Sequence, residues 1–213
     1  MTAEAQSPAE VWHDLLEGNA RFIAGAPQHP RQDVERRAQL AKQQTPHAAL
    51  FGCSDSRLAA EIIFDNGIGD LFVVRNAGQI ISESVVGSLE YAVSVLKVPL
   101  IVVLGHDECG AVLAAIDSQG AEAKPLPPHI TTLISKIIPA VRRVVGSAEG
   151  PVDTSLIDSQ EVGREHLRDT IAELLERSEL ISEAVAAGTL AVVGANYRLL
   201  EGRAVPDVVV GSI

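Results

Sequence analysis

The sequence predicts an α/β fold: a mostly parallel β-sheet of four or five strands flanked by helices, with an N-terminal helical arm and an antiparallel edge strand. Three observations predict it. His47–Gly52, Leu71–Arg75, Pro99–Gly105 and Thr189–Tyr197 are short, continuous apolar runs rich in Val, Ile and Leu, as strands buried on both faces require. Helical patterns separate these runs, which suits the crossovers of a parallel sheet. Near the end, Glu201-Gly202 reads as a turn, so Ala204–Val210 returns antiparallel along the edge.

The elements follow in order. Ser7 can cap a helix, Pro8 suits its first position, and Glu10 completes a capping box. Val11, Trp12, Leu15, Leu16, Asn19, Phe22 and Ile23 recur at helical spacing, and Gly25 can end the helix. The Trp12/Phe22 stripe is costly to leave in water, so it packs on its own core or on a partner. A second, polar helix is expected over 31–43. Leu58–Phe64, Glu83–Lys97, Gly110–Gln119 and the long stretch Thr154–Ala187 also carry helical patterns. Residues 121–128 (AEAKPLPP) and 147–153 (SAEGPVD) read as linkers. No repeat or second domain is visible. The chain reads as a single domain over 1–213, with a helical arm over 1–43 and an α/β core over 44–213.

Composition narrows the function. Apolar residues make up 46% and aromatics only 3%, so the core is built from Val, Ile, Leu and Ala. Acids outnumber bases 28 to 17, for a net charge of -11. That balance argues against a nucleic-acid footprint and against binding to anionic membranes. The longest apolar run, near Val98–Leu104, is too short to span a bilayer. The opening MTAEAQSPAE lacks the basic start and apolar run of a signal peptide. Two cysteines cannot build a secreted disulfide framework. A cytoplasmic protein with reduced thiols is the expectation.

Both cysteines fall at strand ends, in F51-G-C-S-D-S-R57 and in L104-G-H-D-E-C-G110. Ligands of open parallel sheets bind beyond the carboxyl ends of strands, so these distant segments are expected to meet. His106 and Cys109 are three apart at the start of an expected helix, which puts them on one face. A helix N-terminus also favours a thiolate at Cys109. With Cys53 they make a Cys2His donor set of the zinc type, and three protein ligands leave a fourth position open, as catalytic zinc requires. Asp55 and Arg57 lie two and four residues beyond Cys53, where an acid–arginine pair can orient water and stabilise a developing anion. An ordinary surface ion pair is the competing reading. The remaining histidines, His13, His29, His47, His129 and His166, lie among charged or turn residues, and are expected to be solvated.

At these residues the sequence resembles the β-class carbonic anhydrases. The likeness is carried by C53-S-D-S-R57 and H106-D-E-C109, with further agreement in L71-F-V-V-R-N-A-G78, L89-E-Y-A-V93 and V102-V-L-G-H106. It extends over about residues 10–205. The resemblance implies one zinc ion per subunit, held by Cys53, His106 and Cys109. It implies an Asp55–Arg57 dyad in which Arg57 holds Asp55 off the metal; in a closed state Asp55 itself becomes the fourth ligand. It implies a substrate pocket from Gln44, which can donate an amide hydrogen bond to bicarbonate, and from Phe72 and Tyr91, an apolar wall for carbon dioxide. Plain core packing is the competing reading for Phe72 and Tyr91. A Trp three residues before the first cysteine belongs to an inhibitory bicarbonate site in one branch of the family; here that position is Leu50, although Arg75 of the same region is present. The implied assembly is a homodimer or homotetramer with N-terminal helices laid across the partner, a role that the Trp12/Phe22 stripe fits.

The function so implied is reversible hydration of carbon dioxide to bicarbonate and a proton by a zinc-bound hydroxide. One alternative is hydrolysis of carbonyl sulfide or carbon disulfide on the same zinc scaffold. The other is a non-catalytic protein in which Cys53 and Cys109 hold structural zinc or form a redox switch.

Overall fold

Five strands form one sheet, in the spatial order Leu71–Asn76, Ala48–Cys53, Leu100–His106, Ala191–Arg198, Arg203–Val210. The computed structural model describes residues 6–146 and 150–213. Its strands are β1 Ala48–Cys53, β2 Leu71–Asn76, β3 Leu100–His106, β4 Ala191–Arg198 and β5 Arg203–Val210. The helices are α1 Pro8–Ile23, α2 Val34–Leu40, α3 Ala60–Ile63, α4 Glu83–Ser94, α5 Gly110–Asp117, α6 Pro128–Ile134, α7 Ile138–Val145, α8 Ser159–Arg177 and α9 Glu179–Ala186, with a 3-10 turn at Thr154–Leu156. Strands β1 to β4 pair in parallel, and β5 returns antiparallel on β4. Among the described residues no helix is long and apolar enough to cross a membrane.

The continuous apolar runs are continuous because both faces of the sheet are covered. In β3, Leu100, Val102 and Leu104 join one buried cluster, while Ile101 and Val103 join the other. Strand β1 divides the same way, with Ala48 and Leu50 on one side and Ala49 and Phe51 on the other. This is the two-residue period of a strand read on two buried surfaces. After β1 the chain adds β2 on one side and β3 on the other. The crevice at that switch point, beyond the carboxyl ends of β1 and β3, is where such sheets bind ligands.

Helix α1 starts with the expected capping box: Ser7 Oγ accepts from the Glu10 N–H, and the Glu10 carboxylate accepts from the Ser7 N–H. The first turns of its apolar stripe pack on the core of its own subunit, one of the two expected packings, while Ile23 at its end stays 37% exposed. Val11 and Leu15 are fully buried and Trp12 is 6% exposed, all in the same cluster as Leu50 and Cys53. Asn19, 2% exposed, fastens the helix down. Its amide donates to Ile63 O and Gly202 O, and its Oδ1 accepts from the Ala204 N–H.

Two features go beyond the sequence reading. The stretch 154–187 is not one helix. It divides into the 3-10 turn, α8 and α9, with a break at Ser178, whose extended backbone (φ -123°, ψ 99°) ends α8 while its hydroxyl caps α9. Helices α6 and α7 were not anticipated; each begins with proline in its first turn, a starting signal masked by the proline-rich run before it. Part of the expected second linker, residues 147–149, lies outside the described residues.

Candidate metal centre

Strands β1 and β3 are neighbours, and Gly52 pairs with Leu104. Cys53 therefore ends β1 beside His106, which ends β3. Three residues after His106, Cys109 is the N-cap of α5. The expected shared helical face is not how His106 and Cys109 meet. The chain turns between them through Glu108, whose φ of 51° is left-handed. The sulfurs of Cys53 and Cys109 and a ring nitrogen of His106 lie within 4.8 Å of one another. All three residues are buried, at 4–5% exposure.

These donors fit a zinc ion. His106 Nδ1 lies 2.7 Å from Asp107 O. A carbonyl only accepts, so Nδ1 carries the proton and Nε2 is a bare acceptor. That Nε2 is buried and has no hydrogen-bond partner among the described residues. Cys53 is drawn below its ordinary value by the hydrogen bond from Cys109, with the Gly78 N–H helping against the cost of burial. Cys109 is driven far above its ordinary value by that same bond to Cys53 and by burial. Burial and mutual contact set the two sulfurs against each other as thiols, and a metal that binds thiolates would relieve this. Two sulfurs and one imidazole nitrogen make a zinc-type donor set.

The surroundings aim these groups. The Gly78 N–H donates to Cys53 Sγ at 3.3 Å. Arg75 donates from Nε to Cys53 O at 2.9 Å and from Nη2 to Asp55 O at 2.6 Å, clamping the turn after β1. Arg57 grips the Asp55 carboxylate from Nε and Nη2 at 2.8 and 2.7 Å, and its backbone N–H adds a third bond at 2.9 Å. Arg57 Nη2 also reaches Glu108 O at 3.0 Å, so one side chain ties the two metal-site loops together. The Arg57 guanidinium holds the Asp55 carboxyl well below the usual carboxylate range. Asp55 is thereby kept ionised and bound to arginine.

The structure does not bring the other three expected site residues to this triad within one subunit. Gln44 is exposed ahead of β1. Phe72 pairs with Ala49, four positions before Cys53 on β1, roughly 13 Å along the strand. It packs with Ala49 and Phe51 on the opposite side of the sheet from the cluster holding Cys53 and Cys109. Tyr91 is 44% exposed and stacks near Phe72, their ring centroids 6.1 Å apart. Leu50 is buried in β1 at 2% exposure.

His166 corrects the expectation of a solvated histidine. It is 3% exposed, and Nε2 lies 2.7 Å from Gly78 O. The signal was present in the sequence: Val162, His166 and Thr170 recur at four-residue spacing beside Gly163, Leu167, Ile171 and Leu174, all buried on α8. His47 is half-buried, while His13, His29 and His129 are exposed as expected.

The family model for carbonic anhydrase matches residues 48–204, the span that contains every group of this centre. The chain belongs to the β-class carbonic anhydrase family. A curated relative, carbonic anhydrase 2 of Mycobacterium tuberculosis, is 49% identical over 97% of this chain and 96% of its own. Among solved structures, a β-carbonic anhydrase of Aspergillus fumigatus superposes with a TM-score of 0.68 at 26% identity, covering 92% of this chain and 90% of its own. One of two tetrameric β-carbonic anhydrases from Sordaria macrospora gives a TM-score of 0.66 at 26% identity, covering 92% of this chain and 96% of its own. The enzyme is a carbonate dehydratase: it catalyses reversible hydration of carbon dioxide to bicarbonate.

Proposed function

We propose that Cys53, His106 and Cys109 hold one zinc ion per subunit, and that Asp55 and Arg57 govern access to its fourth position. The observation that carries this reading is the convergence of three buried donors, one of them the bare Nε2 of His106. When bound there, zinc supplies a Lewis acid that makes water a nucleophile near neutral pH.

The protein's own groups do the rest. Arg57 occupies both oxygens of Asp55, so the carboxylate stays off the triad and leaves the fourth position to water. Asp55 is too acidic to act as a general base. Its remaining lone pairs accept a hydrogen bond from the incoming water and orient it, so that the oxygen faces both the triad and carbon dioxide. Arg75 keeps the turn carrying Cys53 and Asp55 in register through its two carbonyl contacts.

Gln44, Phe72 and Tyr91 are the proposed substrate contacts. Phe72 and Tyr91 sit on the far side of their own sheet, so they can line a triad only in a second copy of the chain. A homodimer or homotetramer is therefore part of the proposal, supported by the tetrameric relative from Sordaria macrospora. A cytoplasmic location is proposed as well, supported by two free cysteines placed as ligands and not as a disulfide.

The test is metal content together with stopped-flow carbon dioxide hydration for Cys53→Ser, His106→Ala and Cys109→Ser. Each variant should lose zinc and activity together. Full zinc occupancy with near-normal turnover in any one of them would overturn the ligand assignment.

A further inference from the structure

Helix α8 carries a polar side chain in its buried stripe that the chemistry above does not use. His166 replaces what would be an apolar position between Val162 and Thr170. Its Nε2 lies 2.7 Å from Gly78 O, and a carbonyl only accepts, so Nε2 carries the ring proton and donates it. Nδ1 is buried with no partner among the described residues. Burial pushes the imidazolium form down, so the ring is neutral with its one proton on Nε2. An unpartnered nitrogen in the core is a cost that leucine would avoid. What the histidine provides in return is a hydrogen bond to a single residue, Gly78.

Gly78 is the residue whose N–H donates to Cys53 Sγ at 3.3 Å. The loop around it is unusual. Gly78 has φ 78° and Gln79 has φ 41°, so two consecutive residues adopt the left-handed region. A loop of that kind persists only when its surroundings hold it. Asn76 braces it from within, donating to Ile80 O and accepting from the Ile80 N–H, both at 2.7 Å. His166 braces it from outside. The bonds to Gly78 O and from Gly78 N belong to adjoining peptide units, so the effect of His166 on the sulfur is one of orientation.

We propose that His166 is a positioning residue for the metal centre: by holding Gly78 through its carbonyl, it aims the Gly78 N–H at Cys53 Sγ and so sets the strength of that sulfur as a ligand. The inference rests on Cys53 being a zinc ligand. Groups that orient metal ligands change affinity by about 10- to 100-fold when removed.

Three readouts test it. Nitrogen-15 NMR of the wild-type ring should find His166 neutral and protonated at Nε2. His166→Leu, with its fold checked by circular dichroism, should bind one zinc about tenfold more weakly in chelator competition, and its cobalt-substituted form should show a shifted thiolate-to-metal charge-transfer band. His166→Gln can place an N–H near the lost Nε2 and should recover most of both. A wild-type ring protonated at Nδ1 would overturn the inference. So would His166→Leu with wild-type zinc affinity and an unshifted band, or His166→Gln as impaired as the leucine variant. If the leucine variant does not fold, the ring proton and the glutamine variant decide on the same criteria. A wild-type protein that binds no zinc would remove the metal assignment itself, and this inference with it.

Discussion

Substituting Gly78 by alanine should damage both stability and metal binding, by an amount the geometry sets. At φ 78° an L-residue pays about 1–2 kcal/mol for left-handed backbone. The added Cβ would stand 2.8 Å from Ala111 Cβ and 3.3 Å from Ile137 Cδ1. Ile137 can swing its terminal methyl aside, but Ala111 has only its Cβ and must move with its backbone. Overpacking of that kind costs about 1–3 kcal/mol. Together the two effects amount to about 2–5 kcal/mol, or a fall in Tm of roughly 4–20 °C for a chain of this length. Ala111 lies two residues after Cys109, while the Gly78 N–H points at Cys53, so the strain separates the two sulfur-bearing segments. Zinc affinity should fall tenfold or more. Gly87→Ala is the control. Gly87 is exposed in the middle of α4 with nothing within 4 Å of an added Cβ, and alanine there should stabilise by about 0.5–1 kcal/mol. Urea unfolding of the metal-free proteins and chelator competition on the loaded ones give both quantities. Gly78→Ala with wild-type stability and wild-type zinc affinity would refute the reasoning.

Three further outcomes are expected. Arg57→Ala should keep its zinc but lose most hydration activity, because Asp55 is released toward the fourth position; wild-type turnover in stopped flow would reduce the dyad to an ordinary ion pair. The depressed Asp55 carboxyl contributes stability that is fully present above the ordinary carboxylate pKa of about 4 and is lost as pH falls through its lower folded value. Asp55→Asn should therefore unfold less steeply with acid below about pH 4, and superimposable acid titrations would contradict this. Asn19→Ala should cost about 3–5 kcal/mol by leaving Ile63 O, Gly202 O and the Ala204 N–H without partners; a shift in urea midpoint corresponding to less than about 1 kcal/mol would show that these groups find other partners.

The strands were legible because each is a short apolar run whose residues alternate between two buried faces, and Cys53 and His106 could be placed because each closes such a run. The way Cys109 joins them was not legible. HxxC spacing suggests a helical turn, whereas the observed link depends on the left-handed Glu108, and glutamate gives no local hint of that conformation. The N-terminal stripe was read correctly as apolar, but periodicity cannot say which surface it meets, and Trp12 turned out to be buried in its own subunit. His166 was hidden by its acidic neighbours, although its four-residue spacing with Val162 and Thr170 marked a buried position. For Phe72 and Tyr91 the motif supplies the residues but not their placement: the sheet register and the two-sided core put Phe72, with Tyr91 near it, on the face away from their own subunit's triad.

The central claim is that two sulfurs and one imidazole hold a zinc ion and leave one position for solvent. Zinc K-edge absorption spectroscopy of the purified wild-type enzyme tests it without any substitution. The account predicts two sulfur scatterers at about 2.3 Å and two lighter ones, one of them imidazole, at about 2.0–2.1 Å. A first shell with fewer than two sulfurs, or one made only of nitrogen and oxygen, would contradict it.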